Sequence, residues 1–261
     1  MAFLTAADGA RLHYKIEGEG PPLILHTGSG CDAELWRAAG YVDSLATSYR
    51  CILFDHRGHG LSDKPRGPEA NHINRYVADV VALLDHLGLE HAAFWGYSAG
   101  ISVGLKVAQE NPTRITALVG SGGLGKTTPE QLCQIVARRV PELREHGWEK
   151  MLARFDDQEP EPVPEWMKAR IRVTDTQQFI DWFLALPDWE WNEWESLGQV
   201  VAPTLFVTGE LEDPGDETAT AAALMPNGTR FRIPGQGHIN AFLKSRQVLP
   251  QVSAFLAKHA S

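Results

Sequence analysis

Residues 92–110 read AAFWGYSAGISVGLKVAQE. The first six, Ala92–Tyr97, form a continuous apolar run of the kind that suits a parallel strand buried on both faces. Ser98–Glu110 has the pattern of a helix and ends at Asn111-Pro112, a stop signal. Strand and helix meet at Gly96-Tyr97-Ser98-Ala99-Gly100, a G-x-S-x-G pattern. A chain that turns this sharply strains the residue at its apex, and flanking glycines let the two arms approach. The stretch therefore predicts a serine presented at the tip of a buried strand.

The same alternation extends in both directions. Runs at Arg11–Glu17, Pro22–His26, Arg50–Phe54, Ile115–Val119, Thr204–Thr208 and Thr229–Ile233 are punctuated by Gly or Pro. Arg11–Glu17, which ends in the turn Gly18–Gly20, predicts an antiparallel strand. Helical patterns lie between: Ile73–Leu87 sets Val77, Val80, Val81, Leu84 and Leu87 on one face, with Gly88 as its stop, and Gln247–Lys258 closes the chain. This order predicts an α/β class fold, a doubly wound and mostly parallel sheet with helices on both faces. From about residue 126 to 200 the rhythm stops. No strand is evident there, six of the eight tryptophans gather there (Trp148, Trp166, Trp182, Trp189, Trp191, Trp194), and a Pro- and acid-rich stretch, Asp156–Glu165, interrupts it. We read residues 126–200 as a helical insertion over a core made of residues 1–125 and 201–261.

Three further motifs flank the serine turn. Leu25-His26-Thr27-Gly28-Ser29-Gly30 is followed by Trp36; Phe54-Asp55-His56-Arg57-Gly58-His59-Gly60-Leu61-Ser62 comes next; Gly235-Gln236-Gly237-His238 follows the last strand. In this order they resemble the α/β-hydrolase superfamily: its early oxyanion loop, its D-x-R-G-x-G-x-S turn, its nucleophile elbow and its G-x-G-H. The resemblance covers essentially all of the chain outside the insertion. It implies an α/β-hydrolase fold with a helical cap after the sixth strand, and a catalytic triad in the order serine, acid, histidine.

On that resemblance Ser98 is the nucleophile and His238 the base that takes its proton and later protonates the leaving group. The orienting acid belongs on Gly209-Glu210-Leu211-Glu212-Asp213-Pro214. The family usually places it three residues after such a glycine, which selects Glu212, and often just before a proline, which selects Asp213. Asp213 is preferred, with Glu212 as the alternative. The oxyanion hole would be the backbone N–H groups of Ala99 and Gly28; this chain has His26-Thr27 where the family usually has His-Gly. Thr27, Trp182, Trp189 and Trp191 are the expected substrate-binding residues, although the tryptophans could equally pack as their own core. His26, His56 and His59 are read as structural, Asp55 as organising its own turn, and Asp79 as facing a neighbouring helix.

One rival motif stands in the chain. Gly120-Ser121-Gly122-Gly123-Leu124-Gly125-Lys126-Thr127 satisfies the Walker A pattern, in which Lys126 and Thr127 would serve phosphate and Mg²⁺. Pro129 falls within what should be the first turns of the phosphate-binding helix, no downstream strand ends in a Walker B aspartate, and a full set of strands precedes the motif. These glycines read better as a loop leading into the insertion.

Composition narrows the field further. The formal charge of −9 argues against a nucleic-acid partner, which needs a basic face. No run approaches the roughly 20 apolar residues of a membrane span. Three widely spaced cysteines without a CxxC pair, and an N-terminus without signal-peptide character, predict a cytoplasmic protein with reduced thiols. No metal or organic cofactor is called for, and the expected partner is a small-molecule substrate; oligomeric state is not readable. Serine at the elbow disfavours dehalogenase and epoxide hydrolase chemistry, which the fold performs with aspartate. Hydrolysis of a carboxylic ester or lactone of a small, partly apolar substrate is the expected reaction. Carbon–carbon bond hydrolysis, or a cofactor-independent lyase or oxygenase on the same triad, and a non-catalytic ligand-binding relative are the alternatives.

Overall fold

The computed structural model describes residues 2–124, 127–189 and 193–260. Its strands are β1 (Ala2–Thr5), β2 (Arg11–Glu17), β3 (Pro22–His26), β4 (Arg50–Phe54), β5 (Ala92–Tyr97), β6 (Ile115–Ser121), β7 (Thr204–Gly209) and β8 (Gly228–Ile233). They form one sheet in the order β1-β2-β4-β3-β5-β6-β7-β8. β1 and β2 are antiparallel, β2 and β4 likewise, and every other pair is parallel. β5 and β7 are buried at every residue, which is why their sequences carry no alternation. β1 was not expected: four residues are too few to show a period, and it is held by pairing with β2.

Two helices flank the elbow strand in sequence, α1 (Ile73–His86) and α2 (Ala99–Glu110). Between β6 and β7 the described residues contain no strand. They contain α3 (Pro129–His146), α4 (Trp148–Gln158), α5 (Glu165–Arg172) and α6 (Thr176–Ala185). The chain then ends with α7 (Glu217–Leu224), α8 (His238–Leu243) and α9 (Ser245–His259). α3 starts at Pro129, where a missing N–H costs nothing, and Thr128 with Gln131 forms a reciprocal capping box before it. α3 packs on α4 and α6. The segment between β6 and β7 is tied to the rest of the chain by Arg66–Asp175 (2.7 Å), by Gln178 Nε2 donating to Asn71 Oδ1 (2.7 Å), and by Trp189 Nε1 donating to the Asn71 carbonyl (2.9 Å).

The parallel register brings the C-terminal ends of β3, β5, β6, β7 and β8 to one edge of the sheet, the edge where open α/β sheets bind ligands. His26 is level with Gly96, Tyr97 with Ser121, and Gly209 with Ile233. The D-x-R-G-x-G-x-S turn braces this edge. Asp55 accepts from Ala33 N (2.7 Å), Leu61 N (3.0 Å) and His13 Nδ1 (2.9 Å). Arg57 reaches into α1, where Nε and Nη2 donate to the two oxygens of Asp79, each at 2.6 Å. Asp79 thus faces this loop arginine, correcting the expectation of a helix neighbour: an unpaired carboxylate would be costly at its 1% exposure. His26, His56 and His59 are buried; His26 stacks on His56 with ring centroids 4.7 Å apart, and the His59 ring lies tilted 3.9 Å from that of His56. Burial pushes His26 and His59 down to about 4, so both are neutral at pH 7.

Asp79→Ala leaves the Arg57 guanidinium buried without its bidentate partner and is expected to cost about 3–5 kcal/mol in urea unfolding. The double variant Arg57→Met/Asp79→Leu strands no fully buried charge, only the partly exposed Asp8 that Arg57 also meets at 2.8 Å, and is expected to be the more stable of the two.

Candidate active site

Ser98 occupies the junction of β5 and α2 with φ 55° and ψ −122°. Among the described residues only Ser98 and Asp216 are non-glycine residues at positive φ. Such a conformation persists only where the surroundings enforce it. Here Ser98 N donates to the Ser121 carbonyl (2.8 Å) while the Ser98 carbonyl already accepts from Ile101 N (2.9 Å). A side chain on Gly96 would collide with the Gly100 carbonyl, so the turn requires that glycine. Gly28, on the loop after β3, lies just as close: a Cβ there would be 2.6 Å from Ser98 Cβ. Ala99 begins α2 directly after the serine.

His238 stands at the start of α8. Its Nδ1 donates to Glu212 Oε2 at 2.7 Å, and its ring stacks on Tyr97 with centroids 5.1 Å apart. The preferred acid, Asp213, is therefore corrected to Glu212 as the partner of this histidine. Asp213 turns the other way and accepts from Glu217 N (2.6 Å), Thr218 N (3.1 Å) and the Thr218 hydroxyl, serving the first turn of α7. Glu212 keeps the expected count of three residues after Gly209, so no loop insertion is needed. Its other contacts are backbone amides: Gly209 N to Oε1 (2.7 Å) and Gly123 N to Oε2 (2.8 Å).

The electrostatics follow from this packing. Burial alone would raise the Glu212 carboxyl, but the His238 charge and hydrogen bond and the two amides leave it below its usual range. Burial likewise works against a charged His238, and the Glu212 carboxylate, its hydrogen bond and the charge of Glu159 outweigh it, so the imidazole pKa is raised. Glu159 follows α4 directly. Its carboxylate accepts from Ile239 N (2.6 Å) and Asn240 N (3.0 Å), two otherwise unpaired amides in the first turn of α8.

The Walker A match receives a different explanation. Gly122 has φ +113°, and a Cβ there would lie 2.8 Å from His238 Cε1. Gly123 supplies the amide that holds Glu212. The glycines thus wrap the histidine–glutamate pair, and the following helix begins only at Pro129. Lys126 lies outside the described residues.

Two cavities meet at Ser98. One, of about 210 Å³, is shared by Ser98 and His238 and is closed by side chains from α3, α4, α5 and α6. The other, of about 240 Å³, runs from Ser98 and Ala99 to Leu124, Leu132 and Leu186. Trp182 borders both. Trp189 borders neither: it is buried, packed edge-on against Trp182 at 6.0 Å. Thr27 also misses both cavities, because its buried hydroxyl turns to the Cys31 carbonyl (3.0 Å). Trp191 lies outside the described residues. Phe179 and Phe183 of α6 line the smaller cavity and were not anticipated, although their spacing with Trp182 places all three on neighbouring turns. No cluster of three or more His, Cys, Asp or Glu among the described residues is arranged to hold a metal ion, and none of their helices is long and apolar enough to cross a membrane.

A family model for the alpha/beta hydrolase fold matches residues 21–245. The chain belongs to the α/β-hydrolase fold family. Among curated relatives, 3-oxoadipate enol-lactonase 2 of Acinetobacter baylyi is 34% identical over 141 residues, 53% of this chain and 51% of that protein. The chain spans about half or less of the length of the first curated relatives it matches. Two solved structures show the same α/β-hydrolase fold over nearly the whole chain. The enol-lactonase from Burkholderia xenovorans LB400 gives a TM-score of 0.83 at 22% identity, covering 98% of this chain and 100% of the other. A thermophilic esterase from Thermogutta terrifontis gives 0.87 at 21% identity, covering 100% and 99%.

Gly122→Ala is expected to push the His238 ring away from Glu212. The imidazole pKa, followed by NMR titration, should then fall; an unchanged value would mean that the glycine is not required by the ring.

Proposed function

We propose that the chain is a serine hydrolase that cleaves a carboxylic ester or lactone of a small, partly apolar substrate through an acyl-enzyme on Ser98. The observation that carries this reading is a strained serine sharing a cavity with a histidine whose Nδ1 is held by a buried carboxylate. The Glu212 hydrogen bond fixes the tautomer with Nε2 unprotonated, the form that can accept the serine proton. His238 then takes the Ser98 proton as Oγ attacks the carbonyl carbon. The negative oxygen of the tetrahedral intermediate is received by the N–H groups of Ala99 and Gly28, each such donor being worth on the order of 3 kcal/mol in the transition state. Collapse releases the alcohol, protonated by His238. Water activated by the same imidazole then hydrolyses the acyl-serine.

In this reading residues 126–200 act as a cap, and residues 1–125 and 201–261 supply the chemistry. The small size of both cavities supports a compact substrate. Esterase and enol-lactonase among the similar proteins support carbonyl attack without naming the substrate.

A fluorophosphonate probe is expected to label Ser98, with mass spectrometry locating the adduct and Ser98→Ala abolishing it; no labelling of the folded protein would sink the proposal. Glu212→Gln should lower kcat/KM for phenyl acetate by at least about 100-fold, since orienting acids of this kind contribute strongly to the triad. Asp213→Asn should lower stability more than activity.

The pH profile supplies a further check. Activity needs neutral His238, so kcat/KM should fall as pH drops through its raised pKa. Removing the opposing charge in Glu212→Gln should move that acid limb to lower pH, read from the residual rate.

A further inference from the structure

The cavity shared by Ser98 and His238 is mostly apolar on its insertion side, yet two arginines line it, Arg139 from α3 and Arg154 from α4. Their charge is under-compensated. Arg154 Nη2 donates to both oxygens of Glu142 at 2.8 Å, Arg139 Nη1 reaches the same carboxylate at 3.4 Å, and Lys150 Nζ stands 3.8 Å from it. Three cations therefore share one carboxylate. The Arg139 side chain is only 11% exposed, and Arg154 Nε is buried with no hydrogen-bond partner among the described residues. Guanidinium donors withdrawn from water are stable only when an acceptor meets them, and their planar fork matches a carboxylate. The nearby acids are already engaged, Glu212 by His238 and two amides, and Glu159 by the amides of α8. Among the described residues, none that lines the second cavity at Ser98 is charged.

We propose that Arg139 and Arg154 form a subsite for a carboxylate carried by the substrate, while the second cavity, beyond Ala99, takes the acyl group. The inference rests on the serine hydrolase reading for its sidedness. Of the two cavities, His238 borders only the arginine-lined one. The group it protonates must leave on that side, so the carboxylate belongs to the alcohol portion of the ester, or to the corresponding end of a lactone.

The test uses benzoate and methyl benzoate as probes, titrated calorimetrically into the full-length Ser98→Ala protein. Benzoate is expected to bind about 10-fold tighter or more, the scale of a charge-assisted hydrogen bond. Arg139→Met and Arg154→Met should each reduce that preference several-fold. Glu142→Gln removes the competing charge and should strengthen benzoate binding, a gain that a merely structural role for these residues would not produce. Equal affinity for the two probes, or weaker benzoate binding in Glu142→Gln, overturns the subsite. Phenyl acetate hydrolysis by the unmodified protein is read separately. Cleavage without a benzoate preference removes the subsite and leaves the hydrolase; a benzoate preference without cleavage or fluorophosphonate labelling keeps the subsite and removes the hydrolase.

Discussion

The carboxylate of Glu212 is the point on which the functional edge of the sheet converges. It is 8% exposed and takes three donors, His238 Nδ1, Gly209 N and Gly123 N, from the chain segments that follow or close β8, β7 and β6. A buried carboxylate left short of partners costs several kcal/mol. The loops are therefore not independent: each must hold its place for the charge to be tolerated, and the charge in turn orients the imidazole. The positive φ of Gly122 belongs to the same constraint, because the ring occupies the space that a side chain would fill.

Around this centre the fold divides its labour. Strand register brings the ends of β3, β5, β7 and β8 together, and the loop hydrogen bonds then set Ser98, Gly28, Glu212 and His238 in one neighbourhood. Helices α3 to α6 supply most of the walls of the cavity that His238 shares, with Trp182 bordering both cavities. The two parts also meet electrostatically. Glu159, just after α4, accepts from the first-turn amides of α8, directly beside His238, so the position of α4 and the surroundings of the histidine are coupled. On the other side of the sheet edge the Arg57–Asp79 pair and the Asp55 turn fix the loop between β4 and α1. One buried ion pair there and one buried carboxylate at the site bracket the elbow.

Much of this could be read from local chemistry. Parallel strands buried on both faces have to be apolar runs, so all the central strands were visible, whereas β1 depends on its partner and left no pattern. Ser98 and His238 sit in turns whose geometry demands glycine, and glycine leaves a mark in the sequence. The acid did not. Glu212 and Asp213 are adjacent and both carboxylic; which one meets His238 depends on where the amides of Gly123 and Gly209, and those of Glu217 and Thr218, lie in space. Trp182 and Trp189 carry the same side chain seven residues apart, yet one lines both cavities and the other seals the core. The arginines at 139 and 154 carry no sequence signal at all, because their meaning comes from sharing Glu142 across two helices.

The sequence by itself determined the alternation of strands and helices, the strained serine turn and the histidine loop, since each is imposed by the backbone needs of a short segment. The tertiary structure alone decided the identity of the histidine's carboxylate, the use of the glycine-rich loop after β6, and which side chains of α3 to α6 line the cavities at Ser98. Those are matters of distance between segments far apart in the chain. Burial makes every unpaired charge expensive, so the packed arrangement, and not the order of residues, selects the partners.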